Sequence, residues 1–437
     1  MKISTFFKDE YVNHASYDNL RKIGSVVDGQ KNAARKILHT VLEKGLRKKV
    51  KVFQLGAKVA EFAEYLHGDI CGPIVTLAQD FPGTNNIPLL TGKGNFGTRF
   101  APDAGAPRYI YAYGSDEFFS LFKADDTPVL RHQTFEGAPI EPVFYVPTLP
   151  ILLVNGSEGL SSGFSQKILP RNPDKVREYI RAALEGKAEV PGDLLDPWYS
   201  GFTGTIEQGD TPAQWIISGA VTRVGINKVE ITEVPPNYDL KGYTKVLDDL
   251  EDQGVIQSYQ DKSEDDQFRF SVIVPSKTLK TWDDTTLLQK LKLQKKVTEN
   301  YTAIDENNRI IVYEGATELL EHFIRVKMQY LQLRKKHLIN KITDEIRVDF
   351  SRYTFIKMIV DDELVISKRR KADIVLDLAQ VPNILERDGS YDYLLGMPVI
   401  SLSEERLAKL EAGLRAKKMA LDTLGKKTTK QIWIEEL

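Results

Sequence analysis

The sequence predicts an α+β protein of several domains, and three features lead to this prediction. Apolar residues recur at helical spacing through roughly the first 80 residues. From about residue 142 the pattern changes to short, alternating strands bounded by turn residues. Two long amphipathic stretches, at residues 316–350 and 403–424, then fill much of the C-terminal part. Since 437 residues suffice for two to three domains, we place the domains at residues 1–141, 142–312 and 313–437.

A basic helix is the first predicted element. Asp28 is placed to cap this helix, which ends near Gly45. Lys31 and Arg35 are four residues apart and would share one face of it, with Lys36 beside them. Phosphate contact is a natural function for such a cluster of cations.

Residues 1–60 are strongly basic although the whole chain is not. They contain 13 Lys and Arg against 5 Asp and Glu, a local charge of +8, whereas the whole chain has a formal net charge of −2. This distribution favours a protein that holds nucleic acid on one region only. The alternative is a solvated, lysine-rich face.

Two further helices are predicted across a glycine turn. The first runs from Leu55 to Tyr65, His67-Gly68-Asp69 makes the turn, and Asp69 caps the second helix. Two short helices joined in this way are typical of a helix-turn-helix motif, whose second helix faces a DNA groove or phosphates. A lone histidine at a turn is usually a structural hydrogen-bonding residue, so His67 alone indicates no function.

A glycine-rich stretch precedes an Arg-Tyr pair. The three glycines within residues 92–97 have the spacing of a dinucleotide-binding fingerprint, but residues 98–102 do not begin the helix that this fingerprint requires. We therefore expect the glycines to let backbone amides approach a DNA backbone on the way to Arg108 and Tyr109.

The Arg108-Tyr109 pair suits attack on a phosphodiester. A phenol has an unperturbed pKa of about 10 and is a poor nucleophile at neutral pH. Arg108 stays protonated and is able to stabilise charge on a pentavalent phosphate. Tyr109 would then form a phosphotyrosyl bond, which stores the energy of the broken DNA linkage, so that the strand is resealed without ATP at that step. Tyr111 is the rival nucleophile, because in an extended segment it shares a face with Tyr109.

The middle of the chain predicts strands and turns. Residues 151–154 are expected to continue a β-rich stretch, and Asn155-Gly156 is a strong turn signal. Residues 201–310 indicate a mixed α/β module with strands at 229–234 and 268–274.

The C-terminal part predicts a helical arm. Residues 316–350 and the leucine heptads of residues 403–424 indicate two antiparallel helices of a coiled coil. Apolar residues at 355–360 and 391–395 would form a compact tip between them, suited to self-association. The alternative is a helical bundle that packs on its own chain.

Several longer motifs follow one another in a fixed order. They are Asp-Gly-Gln-Lys at 28–31 with Arg-Lys at 35–36, Tyr-Leu-His-Gly-Asp at 65–69, Gly-Asn-Phe-Gly-Thr-Arg at 94–99, Arg-Tyr-Ile-Tyr at 108–111, Tyr-Val-Pro-Thr-Leu-Pro at 145–150, Leu-Val-Asn-Gly-Ser-Glu-Gly at 153–159, Asn-Pro at 172–173, Pro-Trp-Tyr-Ser-Gly-Phe-Thr-Gly-Thr-Ile at 197–206 and Tyr-Leu-Leu-Gly-Met-Pro at 393–398. This order resembles the DNA breakage-and-rejoining region of type IIA DNA topoisomerases over nearly the whole chain. The residues of these motifs are more similar to those of the eukaryotic enzymes than to those of bacterial gyrase. The short chain, however, resembles the separate, medium-sized subunit of bacteriophage enzymes.

The resemblance implies what each domain is. Residues 1–141 would be a winged-helix DNA-binding domain that carries the catalytic tyrosine. Residues 142–312 would include a tower α/β domain, which lengthens the DNA-holding surface. Residues 313–437 would be a coiled-coil arm that ends in a dimerisation exit gate.

The resemblance also implies roles for individual residues. Tyr109 would be the nucleophile, with Arg108 and Arg35 as transition-state stabilisers and His67 in the active-site histidine region. The family motif has a second histidine where Leu66 stands here. Residues implied to contact DNA are Lys31, Lys36, Lys93, Arg99 and Ile168. Ile168 would be an apolar wedge that bends the duplex, the alternative being a buried core isoleucine.

Cofactors and partners follow from what the sequence lacks. Strand breakage of this type needs Mg²⁺ held by clustered carboxylates, but the adjacent pairs Asp125-Asp126 and Asp361-Asp362 do not match the family's acidic triad, and no P-loop is present. We therefore predict no metal site in this chain, with Mg²⁺ and ATP held mainly by a partner subunit. The expected partners are double-stranded DNA, a second copy in a homodimer, and an ATPase and metal-binding subunit in a heterotetramer or larger assembly.

The expected location is the cytoplasm. Cys71 is the single cysteine, and neither an apolar run near the ~20 residues of a membrane span nor a signal peptide is found, so no membrane association is expected. For a bacteriophage protein this means the host cytoplasm or nucleoid.

The expected function is that of an ATP-dependent type II DNA topoisomerase subunit. It would cleave and religate both strands of a duplex through a 5′-phosphotyrosyl intermediate, so that a second duplex passes. Two alternatives differ in class. A tyrosine recombinase would need a spaced Arg–His–Arg set, which the motif order does not match. A non-enzymatic, dimeric DNA-bridging protein would keep the basic domain and the arm without using the phenol.

Overall fold

The computed structural model describes residues 3–187 and 191–437. They form two compact units, divided between Lys327 and Met328. The division falls within one 45-residue helix, Ala316–Val360. The three domains inferred from the sequence are finer than this division, and their limits stay a prediction.

The first unit opens with helices. The first two are α1 Ile3–Thr5 and α2 Val12–Lys22, joined by a π-helical stretch, Phe6–Tyr11. The next three are α3 Asn32–Glu43, α4 Val52–Phe62 and α5 Cys71–Ala78. α3 packs on α4 and α5, and it has a buried face that includes Ile37, Leu38 and Val41. The predicted helices are therefore present, but α3 begins at Asn32. The prediction that Asp28 caps it is wrong, and Lys31 precedes the helix instead of sharing a face with Arg35.

A three-stranded antiparallel sheet packs with these helices. Its strands are β1 Val50–Lys51, β2 Leu90–Lys93 and β3 Tyr111–Gly114, in the order β1-β3-β2. Tyr111 lies opposite Lys51 on one side and opposite Lys93 on the other. The sheet thus fixes both ends of the loop at residues 94–110, which contains the Arg-Tyr pair. The assignment of these helices and strands to a winged-helix domain stays a prediction.

Two short helices and two hairpins follow. The elements are α6 Asp116–Leu121, β4 His132–Phe135, β5 Ala138–Pro142, α7 Ile151–Val154, β6 Ser157–Ser161 and β7 Phe164–Ile168. β4 pairs with β5 and β6 pairs with β7, both antiparallel. The strand predicted at residues 151–154 is wrong, because this segment is helical. All four of its side chains are buried, and a short apolar run does not distinguish a buried helix from a buried strand.

The rest of the first unit is mixed α/β. Its strands are β8 Thr205–Gln208, β9 Gln214–Ser218, β10 Ala220–Arg223, β11 Lys228–Glu233, β12 Ser258–Asp261, β13 Phe270–Ile273, β14 Gln294–Thr298, β15 Thr302–Ile304 and β16 Ile310–Val312. They form two larger antiparallel sheets, β14-β9-β8 and β10-β11-β13-β12, and the hairpin β15-β16. The helices are α8 Pro173–Glu185, α9 Leu240–Asp252, α10 Ser276–Thr281 and α11 Asp284–Lys290. The strands predicted at 229–234 and 268–274 are confirmed as β11 and β13, whose inner residues share a core with Tyr243 and Leu247 of α9.

The second unit is helical. It contains the C-terminal part of α12 Ala316–Val360 together with α13 Lys371–Gln380, α14 Asp392–Leu395, α15 Glu404–Lys426 and α16 Thr429–Glu436. The Lys417 amine of α15 contacts Glu345 at 2.9 Å and Asp349 at 2.8 Å on α12. Phe355, Leu378 and other apolar residues of segments 353–410 form a separate core. The long helix is confirmed, whereas the coiled-coil geometry stays a prediction. Within the two described ranges, no helix combines the length and the apolar character needed to cross a membrane.

Candidate active site

Tyr109 projects from a loop that is anchored on both sides. Its side chain is 69% exposed, whereas the next residue, Ile110, is buried. The Tyr109 N–H donates to the Ala106 carbonyl at 2.9 Å, which closes a turn, and the Ile110 carbonyl accepts from the N–H of Val52 at 3.0 Å. The backbone is therefore held against the start of α4 while the phenol extends into solvent.

The structure brings Arg108 and Tyr109 together as the sequence predicts. The Arg108 guanidinium carbon lies 5.0 Å from the centroid of the Tyr109 ring, and both side chains are exposed. Tyr111 differs, because it is half-buried as the first residue of β3. Tyr109 lies in a turn, so the expectation that the two tyrosines share a face of one extended segment is wrong. The geometry favours Tyr109 over Tyr111 as the accessible phenol.

The glycine-rich stretch folds onto the tyrosine loop. Gly97 has a φ of +85°, and a Cβ there would lie 2.3 Å from the Pro102 carbonyl oxygen. Gly105 donates its N–H to the Asn95 carbonyl at 2.9 Å. These close approaches within the loop account for its glycines. The expected approach of its amides to a DNA backbone stays a prediction.

An exposed basic segment adjoins the tyrosine loop. Residues 44–49 connect α3 to β1, which pairs with β3 immediately after the loop. Lys93, predicted to contact DNA, is also exposed at the end of β2, opposite Tyr111. The exposed cations of segment 44–58 are Lys44, Arg47, Lys48, Lys49 and Lys58. Positive charge therefore surrounds the strand that leads away from the phenol.

Arg35 is buried in an ion pair with Asp28. Its Nε and Nη2 donate to the two Asp28 oxygens at 2.7 and 3.0 Å, and Nη2 also reaches the Gln30 carbonyl at 3.0 Å. Asp28 further accepts the N–H of Tyr145 at 2.9 Å. Arg35 therefore joins three segments of the chain. A catalytic role for this guanidinium stays a prediction, and the present geometry does not expose it to a substrate.

Lys36 is likewise interior. Its amine contacts Glu141 at 2.9 Å and donates to the Ala63 carbonyl. Nearby, burial lowers the pKa of His39 to about 4, with His132 and Lys36 as further causes. The neutral His39 ring hydrogen-bonds the Tyr145 hydroxyl through Nδ1 at 2.8 Å. Lys36 therefore supports the core under α3 and offers no exposed amine to a phosphate.

Three more predicted DNA contacts differ from expectation. Arg99 is buried and pairs with Glu233 at 2.6 Å, and Ile168 is only 3% exposed. Lys31 is half-buried and donates to the Glu158 carbonyl at 2.6 Å. Lys36, Arg99 and Ile168 are therefore interior in this structure, and their expected contacts with DNA stay a prediction.

Leu160 is exposed but was not among the residues predicted from the sequence to contact DNA. This side chain is 78% exposed and lies next to the turn of the β6–β7 hairpin, opposite Ser165. Phe164, across the turn, is 39% exposed. The signal was a single leucine in a run of glycine and serine, which a hairpin tip cannot bury.

His67 lies exposed in the turn before α5. Its Nε2 is hydrogen-bonded to the hydroxyl of Tyr17 on α2, and the Tyr65 ring centroid is 6.0 Å away. Asp69 accepts the N–H of Cys71, the first residue of α5, at 2.9 Å, whereas the N-cap position of α5 is Ile70. His67 and Tyr17 both line a surface cavity of about 380 Å³, with Arg21, Lys36 and Glu141 among its other residues.

A resident magnesium ion does not fit the described residues. Within 3–187 and 191–437, no group of three or more His, Cys, Asp or Glu side chains is placed to hold a metal ion. Mg²⁺ prefers carboxylate oxygens together with water, and the residues in these two ranges offer no such set of donors.

Comparisons with known proteins agree on one family. The family model that describes the A-type subunits of DNA gyrase and topoisomerase IV matches residues 21–437. DNA topoisomerase 2 of Penicillium chrysogenum is 31% identical, covering 99% of this chain and 29% of that protein. Mitochondrial DNA topoisomerase 2 of Dictyostelium discoideum is also 31% identical, covering 99% of this chain and 34% of that protein. The DNA-binding, cleavage and re-ligation domain of Plasmodium falciparum topoisomerase II has a TM-score of 0.90 at 29% identity, covering 99% of this chain and 63% of that one. The chain thus spans about a third of the length of these curated relatives.

Proposed function

This chain belongs to the type IIA DNA topoisomerase family as a breakage-and-rejoining chain, and from this premise we propose that Tyr109 cleaves DNA. It transiently breaks both strands of a duplex, through one Tyr109 in each of two copies, and reseals them after a second duplex has passed. The observation that carries the proposal is the exposed Tyr109 phenol with the Arg108 guanidinium 5.0 Å from its ring.

The proposed chemistry is a reversible phosphoryl transfer. The phenol oxygen of Tyr109 attacks a backbone phosphorus in line, and the bond to the 3′ oxygen breaks as the 5′-phosphotyrosyl bond forms. The phenol loses its proton, and the departing 3′ oxygen gains one. Arg108 stabilises the negative charge on the equatorial phosphate oxygens. Attack by the 3′-hydroxyl on the phosphotyrosine reverses each of these changes.

The exposed cations hold the duplex beside the phenol. Lys48, Lys49 and Lys93 lie on or next to the sheet that anchors the tyrosine loop. Contacts to phosphate oxygens position a duplex without reading its sequence. In this proposal the buried residues Arg35, Lys36 and Arg99 stabilise the fold around the site.

The wedge that bends the duplex is Leu160 in this proposal. An apolar side chain that unstacks a base step must stand out from the surface. Leu160 does so at the tip of the β6–β7 hairpin, whereas Ile168 is buried at its base. We therefore assign the wedge role to Leu160 and not to Ile168.

Two copies of the chain pair through the second unit in this proposal. Val399 and Ile400 are 83% and 88% exposed on a short helical turn of the apolar tip. Exposed apolar side chains of this kind are suited to a symmetric contact. Mg²⁺ and ATP would be bound outside the residues described here, by an ATPase and metal-binding partner. A monomer in sedimentation measurements at micromolar concentration would contradict the pairing.

The test is a trapping assay on supercoiled DNA. The chain is mixed with its ATPase and metal-binding partner and Mg²⁺, quenched with detergent, and digested with nuclease. We expect a nucleotide adduct on Tyr109 that Tyr109→Phe abolishes and the matched control Tyr111→Phe retains. An adduct on Tyr111 would correct the site. DNA binding without any adduct, in the presence of an active partner, would instead support the DNA-bridging function.

A further inference from the structure

Helix α2 contacts His67 through Tyr17. The Tyr17 hydroxyl and His67 Nε2 form a hydrogen bond across 50 positions of sequence, with ring centroids 5.9 Å apart. The Arg21 guanidinium carbon also lies 5.5 Å from the Tyr17 ring centroid. Since His67 is exposed on a glycine turn, this hydrogen bond restricts the orientation of its ring.

The same helix supports the turn of the β6–β7 hairpin. Asp18 accepts both the N–H and the hydroxyl of Ser162, each at 3.0 Å. The neighbouring Asn19 accepts the hydroxyl of Ser161 at 2.6 Å. These two serines directly follow Leu160, so the turn beside the exposed leucine is hydrogen-bonded to α2.

The approach of hairpin and helix is close. A Cβ at Gly159 would lie 2.2 Å from the Lys22 carbonyl oxygen at the end of α2, so only glycine fits there. Successive helical residues point about 100° apart. Tyr17 on one side and Asp18 on another therefore place α2 between the His67 turn and the hairpin turn.

We propose that Tyr17 is a positioning residue for His67, and that α2 connects His67 to the hairpin turn that follows Leu160. The inference rests on the proposed function, because it assigns His67 to the DNA cleavage site. The Tyr17 hydrogen bond occupies Nε2 and leaves the Nδ1 edge of the imidazole for a phosphate oxygen. Seating of the hairpin on DNA and orientation of His67 then depend on the same helix.

The first test separates positioning from binding. Tyr17→Phe removes only the hydroxyl, and Tyr11→Phe is the matched control on the adjoining helical stretch. We expect Tyr17→Phe to lower the rate of cleavage-complex formation roughly three- to tenfold, the value of one hydrogen bond, with DNA affinity unchanged. Tyr11→Phe should match the unsubstituted chain in both quantities.

A double-mutant cycle then asks whether Tyr17 acts through His67. With His67→Ala already present, Tyr17→Phe should have no further effect, since there is no ring left to position. Effects that multiply, or a Tyr17→Phe rate equal to that of the unsubstituted chain, would overturn the inference.

The second test addresses the link through α2. Asp18→Ala should reduce both DNA bending, measured by energy transfer between end-labelled dyes, and cleavage, whereas Tyr17→Phe should reduce cleavage alone. If bending is unaffected by Asp18→Ala, α2 does not support the hairpin in the complex, and that part of the inference fails.

Failure of the proposed function would be seen separately. It would appear as absence of the Tyr109 adduct in the unsubstituted chain. The nitrogen-15 signals of the His67 ring still test the Tyr17 contact in that case. Tyr17→Phe should change the balance between the two ring tautomers, and identical signals would overturn the positioning role.

Discussion

Glu299 holds the base of the β6–β7 hairpin, and its loss should destabilise the first unit. The side chain is buried at 5% exposure. Its carboxylate accepts from both terminal nitrogens of Arg171 at 2.6 and 2.7 Å. It also accepts from the Leu169 N–H at 2.7 Å, the Trp215 indole at 2.8 Å and the Tyr301 hydroxyl at 2.6 Å. One carboxylate therefore satisfies donors from four separate residues.

The expected magnitude follows from what Glu299→Ala leaves behind. Arg171 is fully buried, and removing one partner of a buried ion pair costs about 3–5 kcal/mol in the free energy of unfolding. Arg171 keeps hydrogen bonds to the carbonyls of Leu195 and Leu169, so we expect a loss near the lower end, about 3 kcal/mol. Adding Arg171→Met removes the uncompensated charge. The double variant should therefore lose at least about 1 kcal/mol less than the sum of the single variants.

The assay is urea unfolding followed by tryptophan fluorescence, with Trp215 as a probe within the network. Amide hydrogen exchange of residues 157–170 reports on the hairpin itself. Glu158→Ala is the control, since Glu158 is 75% exposed in its pair with Lys167 and should change stability by less than about 1 kcal/mol. A Glu299→Ala loss below about 1 kcal/mol, or equal to that of Glu158→Ala, would refute the reasoning.

Two further predictions concern the hairpin and the helical core. Leu160→Ala should reduce DNA bending with stability within about 0.5 kcal/mol of the original, whereas Ile168→Ala should lower the free energy of unfolding by about 2–5 kcal/mol; the reverse pattern would restore the wedge role to Ile168. Since the pKa of His39 is lowered from 6.5 to about 4 in the folded chain, the unfolded chain binds more protons between these values, so stability should be intact above pH 6.5 and fall towards pH 4. The loss should be up to about 3 kcal/mol, read from denaturant midpoints across this range. His39→Gln should flatten the profile and His14→Gln should leave it unchanged, and a pH-independent midpoint between 4 and 6.5 would contradict the buried, neutral state of His39.

The sequence was a good guide to elements whose signal is local. The helices at residues 32–43 and 52–62, the strands β11 and β13 and the long helix α12 follow from periodicity within a single segment. The exposed position of Tyr109 follows equally from the small residues and prolines around it. At residues 151–154 the local signal failed, because burial on all sides removes the periodicity that separates helix from strand.

The burial of three predicted site cations was not foreseen from the sequence, and it has a physical cause. Arg35, Lys36 and Arg99 were expected to face phosphates, since unpaired cations are rarely buried. Lys36 and Arg99 are instead paired with carboxylates far along the chain, Glu141 and Glu233, and Arg35 is paired with Asp28, which precedes its helix. The pairs of Lys36 and Arg99 depend on tertiary contacts between segments that are far apart in sequence, with 105 positions between Lys36 and Glu141, and no local pattern encodes such contacts.

Leu160 and Tyr17 were not singled out from the sequence for a similar reason, because their importance depends on tertiary contacts. An exposed leucine and an exposed tyrosine are individually ordinary, so neither stands out in the sequence. Their positions in the structure distinguish them. Leu160 lies at the tip of a hairpin whose turn is hydrogen-bonded to Asp18, and Tyr17, next to Asp18, is hydrogen-bonded to His67. Placing these contacts on consecutive residues of one short helix makes the two sites sensitive to the same displacement. A duplex that pushes on the hairpin must therefore either shift α2, and with it His67, or break the hydrogen bonds from Asp18 to the turn.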